Sequence, residues 1–117
     1  MNDAAPPRRI WLCADDYGLS PGVNRAIRDL IERGRLNATS VMVTTPSFHR
    51  SEARSLSMLD IGERRVAVGL HVTLTAPFRP SNPSYGPVED GAFAPIGRMI
   101  KLGFLRRLDA GALAAEV

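Results

Sequence analysis

Three short β-rich runs alternate with segments of helical period, and this alternation constrains the chain more than any other feature. Ile10-Trp11-Leu12-Cys13-Ala14, Ser40-Val41-Met42-Val43-Thr44 and Val66-Ala67-Val68-Gly69-Leu70 have the length and apolar character of buried strands. Between the first two, Ser20 can cap a helix whose first residue is Pro21. Val23, Ala26, Ile27, Leu30 and Ile31 then fall on one helical face, and Gly34 supplies the stop. A second, less regular helix is predicted over 48–59. Strand, helix, strand, helix, strand is the order of a parallel α/β sheet with right-handed crossovers. Within it, Trp11 and Met42 are expected as core residues inside strands, and Cys13 as a small buried hydrophobe.

Past the third run the character changes. Between Ala76 and Pro95 five prolines and two glycines interrupt any regular element. A segment of that kind after an active-site strand reads as a functional loop or lid. Helical pattern resumes over 96–108 and again over 110–117, where the chain stops without a cap. The expected organisation is therefore one partial domain over 1–117, with a Pro-rich loop at 76–95 and a helical tail at 96–117. Parallel sheets are normally covered on both faces and blocked at their edges. Three strands with this little cover predict a longer domain or a homo-oligomer.

Composition narrows the function classes. A hydrophobic share of 44% with 23% charged residues is that of a globular chain. The net charge of +3 comes from arginines scattered along the chain, with Lys101 the single lysine. Arg64-Arg65 and Arg106-Arg107 read as solvated faces and helix ends, and no basic stripe or reading motif points to nucleic acid. No apolar stretch approaches the roughly 20 residues of a membrane helix. The N-terminus lacks the apolar core of a signal peptide, so a cytoplasmic location is expected. Cys13 is the only cysteine, which excludes an internal disulfide and a cysteine-based zinc site.

The chemistry gathers at strand ends. Asp15 and Asp16 follow the first apolar run, and His71 follows the third. Carboxyl ends of parallel strands are where α/β folds collect functional residues. One carboxylate and one imidazole make two ligands for a divalent cation, leaving the other carboxylate to act as a general base on water. His49 reads as a helix cap or surface residue rather than a ligand. Tyr17 and Thr44 could line a pocket. An acidic pair after the first strand also suggests a phospho-acceptor receiver domain. That reading needs an Asp at the end of the third strand, where His71 stands, and a Lys after a fifth strand, whereas Lys101 lies in a helical stretch.

Three ordered stretches carry a resemblance: Ala14-Asp15-Asp16-Tyr17-Gly18-Leu19-Ser20-Pro21-Gly22-Val23-Asn24-Arg25-Ala26-Ile27, then Asn37-Ala38-Thr39-Ser40-Val41-Met42-Val43, then Val68-Gly69-Leu70-His71-Val72-Thr73-Leu74-Thr75. Over about residues 10–75 the chain resembles the YdjC-like carbohydrate deacetylases. The resemblance implies a (β/α) barrel-like fold of the polysaccharide-deacetylase type, incomplete in this chain. It implies Asp15 as general base and Asp16 and His71 as ligands of a divalent metal (magnesium or zinc); Tyr17 and Thr73 are expected to bind substrate. The substrate would be an acetylated amino sugar or oligosaccharide, losing its N-acetyl group. In that family a later histidine-rich segment supplies the third ligand and the general acid, and these 117 residues contain no such segment. The expectation is thus the N-terminal part of a deacetylase, weak or inactive alone. The alternative is a non-catalytic module acting through oligomerisation or binding.

Overall fold

The alternation of strand and helix builds a three-stranded parallel sheet in the order β1-β2-β3 in the computed structural model, which describes residues 6–60 and 66–117. The strands are β1 (Cys13–Tyr17), β2 (Ala38–Val41) and β3 (Ala67–Leu70). Helix α1 (Pro21–Glu32) joins the first pair and α2 (Arg50–Ser57) the second, with a 3-10 turn, Met58–Asp60, after α2. The order is not that of a receiver domain, whose first strand lies between the second and third. The expected Arg64-Arg65 pair lies outside the described residues.

Helix α1 forms as its sequence indicates. The Ser20 hydroxyl accepts from the Val23 amide at 3.2 Å, Pro21 opens the first turn, and Gly34 follows the helix at a φ of +65°. Ile27 and Ile31 on α1 and Leu56 on α2 pack with Tyr17 and Val41 on one face of the sheet. Both helices thus cover the same face. Ala26 and Leu30, at the margin of the α1 stripe, stay exposed.

The first strand differs from its sequence reading. It begins at Cys13 and runs through the acidic pair to Tyr17, while Ile10, Trp11 and Leu12 lie outside it and are exposed, Trp11 by 69%. These three residues precede the stretch that the helices reach. They are tied instead by Asn37, whose side chain accepts from the Leu12 amide at 2.6 Å and donates to the Ile10 carbonyl at 3.0 Å. Trp11 is therefore not a core residue. Cys13 is exposed too, because it lies on the sheet face that the two helices leave open. Met42 is buried as expected, but stands one residue past β2, which starts at Ala38 rather than Ser40.

The Pro-rich segment holds regular structure that its composition hid. Two short strands, β4 (Val88–Glu89) and β5 (Ala92–Phe93), form an antiparallel hairpin closed by Asp90 and Gly91, both at positive φ. Tyr85, Phe93, Ala94 and Met99 are buried around it, with the Tyr85 and Phe93 rings edge to face at 5.1 Å. Helices α3 (Ile96–Phe104) and α4 (Ala110–Glu116) complete the described chain. The Glu116 carboxylate accepts the amides of Ser81 and Asn82 at 2.5 and 2.9 Å, tying α4 to the Pro-rich segment.

Candidate active site

A β-bulge builds the site. From Ala14 to Tyr17, β1 advances three residues while its partner β2 advances two, from Thr39 to Val41. The extra residue is absorbed at Asp16, whose φ of +69° is in the left-handed region, uncommon for any residue but Gly, although Asn and Asp adopt it more readily than other side chains do. Without the bulge, successive residues would face opposite sides of the sheet. With it, Asp15 and Asp16 both reach side chains on the face away from the helices, while Tyr17 still enters the core.

The turn after the bulge is clamped from two directions. Gly18 has a φ of +107°, and a Cβ there would come within 2.7 Å of the Met42 carbonyl, so only glycine fits. Asn24 of α1, wholly buried, accepts from the Gly18 amide at 2.6 Å and donates to the Ser47 carbonyl at 3.2 Å. Thr45 adds a hydroxyl contact to the Gly18 carbonyl at 2.6 Å. Gly18 and Asn24, two residues of the long first motif, thus serve the shape of the site rather than its chemistry.

On the open face four side chains form a continuous set. The Ser40 hydroxyl donates to Asp15 Oδ1 at 2.6 Å and lies 3.2 Å from His71 Nδ1, which in turn lies 3.2 Å from Asp16 Oδ1. The Ser40 hydrogen bond holds the Asp15 carboxyl below its ordinary range; slight desolvation opposes it, and the Cys13 thiol and the His71 ring act with it. Asp15 is consequently a carboxylate at neutral pH, as a general base must be. Desolvation and then the neighbouring Asp15 charge push the Cys13 thiol up, so it stays a protonated donor, 3.7 Å from Asp15 Oδ1.

Asp16 and His71 suit a shared cation. Ligand bonds of about 2.0–2.2 Å place two atoms on one ion roughly 3 Å apart, and the Asp16 Oδ1 to His71 Nδ1 separation of 3.2 Å matches that spacing. The donor set, one carboxylate and one imidazole, suits zinc or a similar divalent ion. Among the described residues no group of three or more His, Cys, Asp or Glu side chains is arranged to hold a metal. The pair could supply two ligands and does not form a closed cage.

The remaining expected residues separate. Tyr17 is fully buried on the helix side, where its hydroxyl donates to Glu52 Oε2 at 2.7 Å and accepts from Arg28 Nη1 at 2.8 Å. It is a core residue, its ring buried and its hydroxyl paired on the helix side, and it does not reach the open face where substrate contact was expected. Thr73 lies half-buried near His71, its hydroxyl 2.9 Å from that of Thr44, and both line a small cavity of about 60 Å³ with His71, Ser81 and Glu116. His49 stands at the N-cap of α2, exposed, with Nδ1 2.7 Å from the Ser51 hydroxyl. Sequence reasoning missed Ser40, which it treated only as the start of a strand. The available signal was its place in β2, between the strands that carry the two acids and the histidine.

The chain is similar to known proteins in sequence and in fold. The chain is 32% identical over 98 residues to a carbohydrate deacetylase of Thermoanaerobacter pseudethanolicus, an alignment covering 82% of this chain and 35% of that protein. It is 29% identical over 68 residues to a carbohydrate deacetylase of Enterococcus faecalis, covering 58% of this chain and 24% of the relative. The chain thus spans about a quarter to a third of the length of these curated relatives. Its fold matches a crystal structure from Enterococcus faecalis described as a cellobiose-phosphate cleavage protein, with a TM-score of 0.66 and 24% identity over 91% of this chain and 39% of that one. The YdjC-like protein family model matches residues 9–117, and the chain belongs to that family.

Proposed function

We propose that this chain carries the base and two metal ligands of a metal-dependent carbohydrate N-deacetylase. The observation that supports the reading most is the bulge at Asp16, which turns two successive carboxylates to one face beside His71. A strained backbone persists where the surrounding structure holds it, and such strain collects at functional sites. We further read β1-β2-β3, with both helices on one face, as the first strands of a (β/α) barrel whose inner face is the open one.

A divalent ion held by Asp16 and His71, magnesium or zinc, would polarise an amide carbonyl and stabilise negative charge on its oxygen. Asp15 removes a proton from the attacking water, whose oxygen bonds to the acyl carbon. Cleavage of the C–N bond then yields acetate and a free amino sugar, the proton from water going to the departing amine. Thr73, beside His71, is placed to contact the substrate. The test is acetate release from N-acetylated chitooligosaccharides with zinc or magnesium present. Slow, metal-dependent release that disappears in Asp15→Asn is expected; release that is unchanged by that substitution contradicts the assignment of the base.

A second reading, a module that associates with another copy, is favoured by the apolar side chains left uncovered. Ile96, Ile100 and Phe104 line one face of α3, with Phe104 86% exposed. The radius of gyration of 18.2 Å exceeds the about 13 Å typical of a compact 100-residue domain. Light scattering giving a dimer or larger species supports this reading, and a sharply melting monomer opposes it.

A further inference from the structure

Ser40 is neither a titratable group nor a metal ligand, yet it touches both halves of the site. It sits at the middle of β2, and the alternation of that strand sends Thr39 and Val41 into the core and Ser40 to the open face. Its hydroxyl has one hydrogen. At 2.6 Å from Asp15 Oδ1 that hydrogen is committed to the carboxylate, so it is not spent on His71 Nδ1, 3.2 Å away, whose lone pair is left for a cation. The Cys13 thiol approaches the same Oδ1. Among the described residues no hydrogen bond reaches Asp15 Oδ2.

From this division of the carboxylate we propose that Ser40 is a positioning residue: it anchors Oδ1 of Asp15 so that Oδ2 is the oxygen left to take the proton from water. The inference rests on Asp15 being the base. Asp15 is exposed and, among the described residues, has no other side-chain donor besides a weak thiol, so without Ser40 its carboxyl rotates among rotamers. Base catalysis depends on the base lying within hydrogen-bond reach of the proton it removes, and small misplacement is costly. The residue type follows from the place. A hydroxyl on β2 is short enough to bridge adjacent strands and carries no charge that would compete for the cation.

The test is nuclear magnetic resonance on the 117-residue chain, reading the three-bond couplings of the Asp15 methylene protons. Wild type and Ser40→Thr, which keeps a hydroxyl, are expected to show a single Asp15 rotamer. Ser40→Ala is expected to show averaged couplings with an unchanged melting temperature. Equal couplings in all three proteins, or averaging already present in wild type, would overturn the proposal. Zinc titration of the same samples separates this result from the metal reading. Ser40→Ala should bind zinc within about twofold of wild type, because the serine is not a ligand. A loss of zinc binding in Ser40→Ala that matches the loss in His71→Ala would make it part of the metal site instead.

Discussion

The two faces of the parallel sheet come from the same three strands and have opposite character. On the helix face, Tyr17, Val41, Ile27, Ile31 and Leu56 exclude water, and a polar cluster there is closed on itself: Tyr17, Arg28 and Glu52 satisfy one another. On the open face, Cys13, Asp15, Ser40, Asp16 and His71 carry hydrogen-bonding atoms to spare. An apolar groove of about 470 Å³ between α2 and β3 lies with the first face, and among the described residues no titratable side chain lines it. The volume lies against packing surface, and Asp15, Asp16 and His71 gather on the other face. The residue that separates the two faces is Asp16, since the bulge there frees β1 from strict alternation.

Breaking the helix face should cost the most. Tyr17→Ala removes a fully buried ring at the centre of the core and should destabilise the chain by about 3–5 kcal/mol, read by urea denaturation. A cost below about 1 kcal/mol would mean that the helices do not pack on this face as described.

Relieving the bulge should act in the opposite direction. Asp16→Gly removes the side chain from a φ of +69° and should stabilise the fold by about 1 kcal/mol while abolishing metal binding. A destabilised variant would show that Asp16 supports the fold rather than the site.

The smallest effect concerns pH. Burial raises the Glu52 carboxyl, but the Tyr17 hydroxyl and the Arg28 charge outweigh it, and the net shift is downward from 4.5. A lowered folded pKa means that Glu52 contributes its stability above 4.5, and loses it as pH falls from there through the lower folded value. Glu52→Gln should therefore flatten the acid limb of a stability profile below that pH and leave its shape near neutrality unchanged. A profile identical to wild type throughout the acid range would show that the cluster on the helix face is not ionised.

Much of this was legible in the residues. Ser20, Pro21 and Gly34 delimit α1 through local capping chemistry, which needs no tertiary information. His71 at the end of β3 follows from a short apolar run. The misread positions share a cause. Ile10, Trp11 and Leu12 are apolar enough for a strand, but whether they enter one depends on where the helices lie across the sheet. Cys13 was expected to be buried, and which face of β1 it occupies is a tertiary fact. The Asp90-Gly91 turn was visible as a hairpin signal and was masked by the prolines around it. The bulge left no mark in the sequence beyond two adjacent acids, because an extra residue in a strand is defined only against its partner. For the same reason the work of Ser40 appears only when three strands are side by side.

The most direct measurement is isothermal calorimetry of the chain with zinc and magnesium, alongside Asp16→Ala, His71→Ala and Asp15→Asn. A metal-dependent heat in wild type, lost in the first two variants and retained in Asp15→Asn, is the predicted result. No heat with either metal, or a heat that survives both Asp16→Ala and His71→Ala, would contradict the assignment of the open face as a metal site.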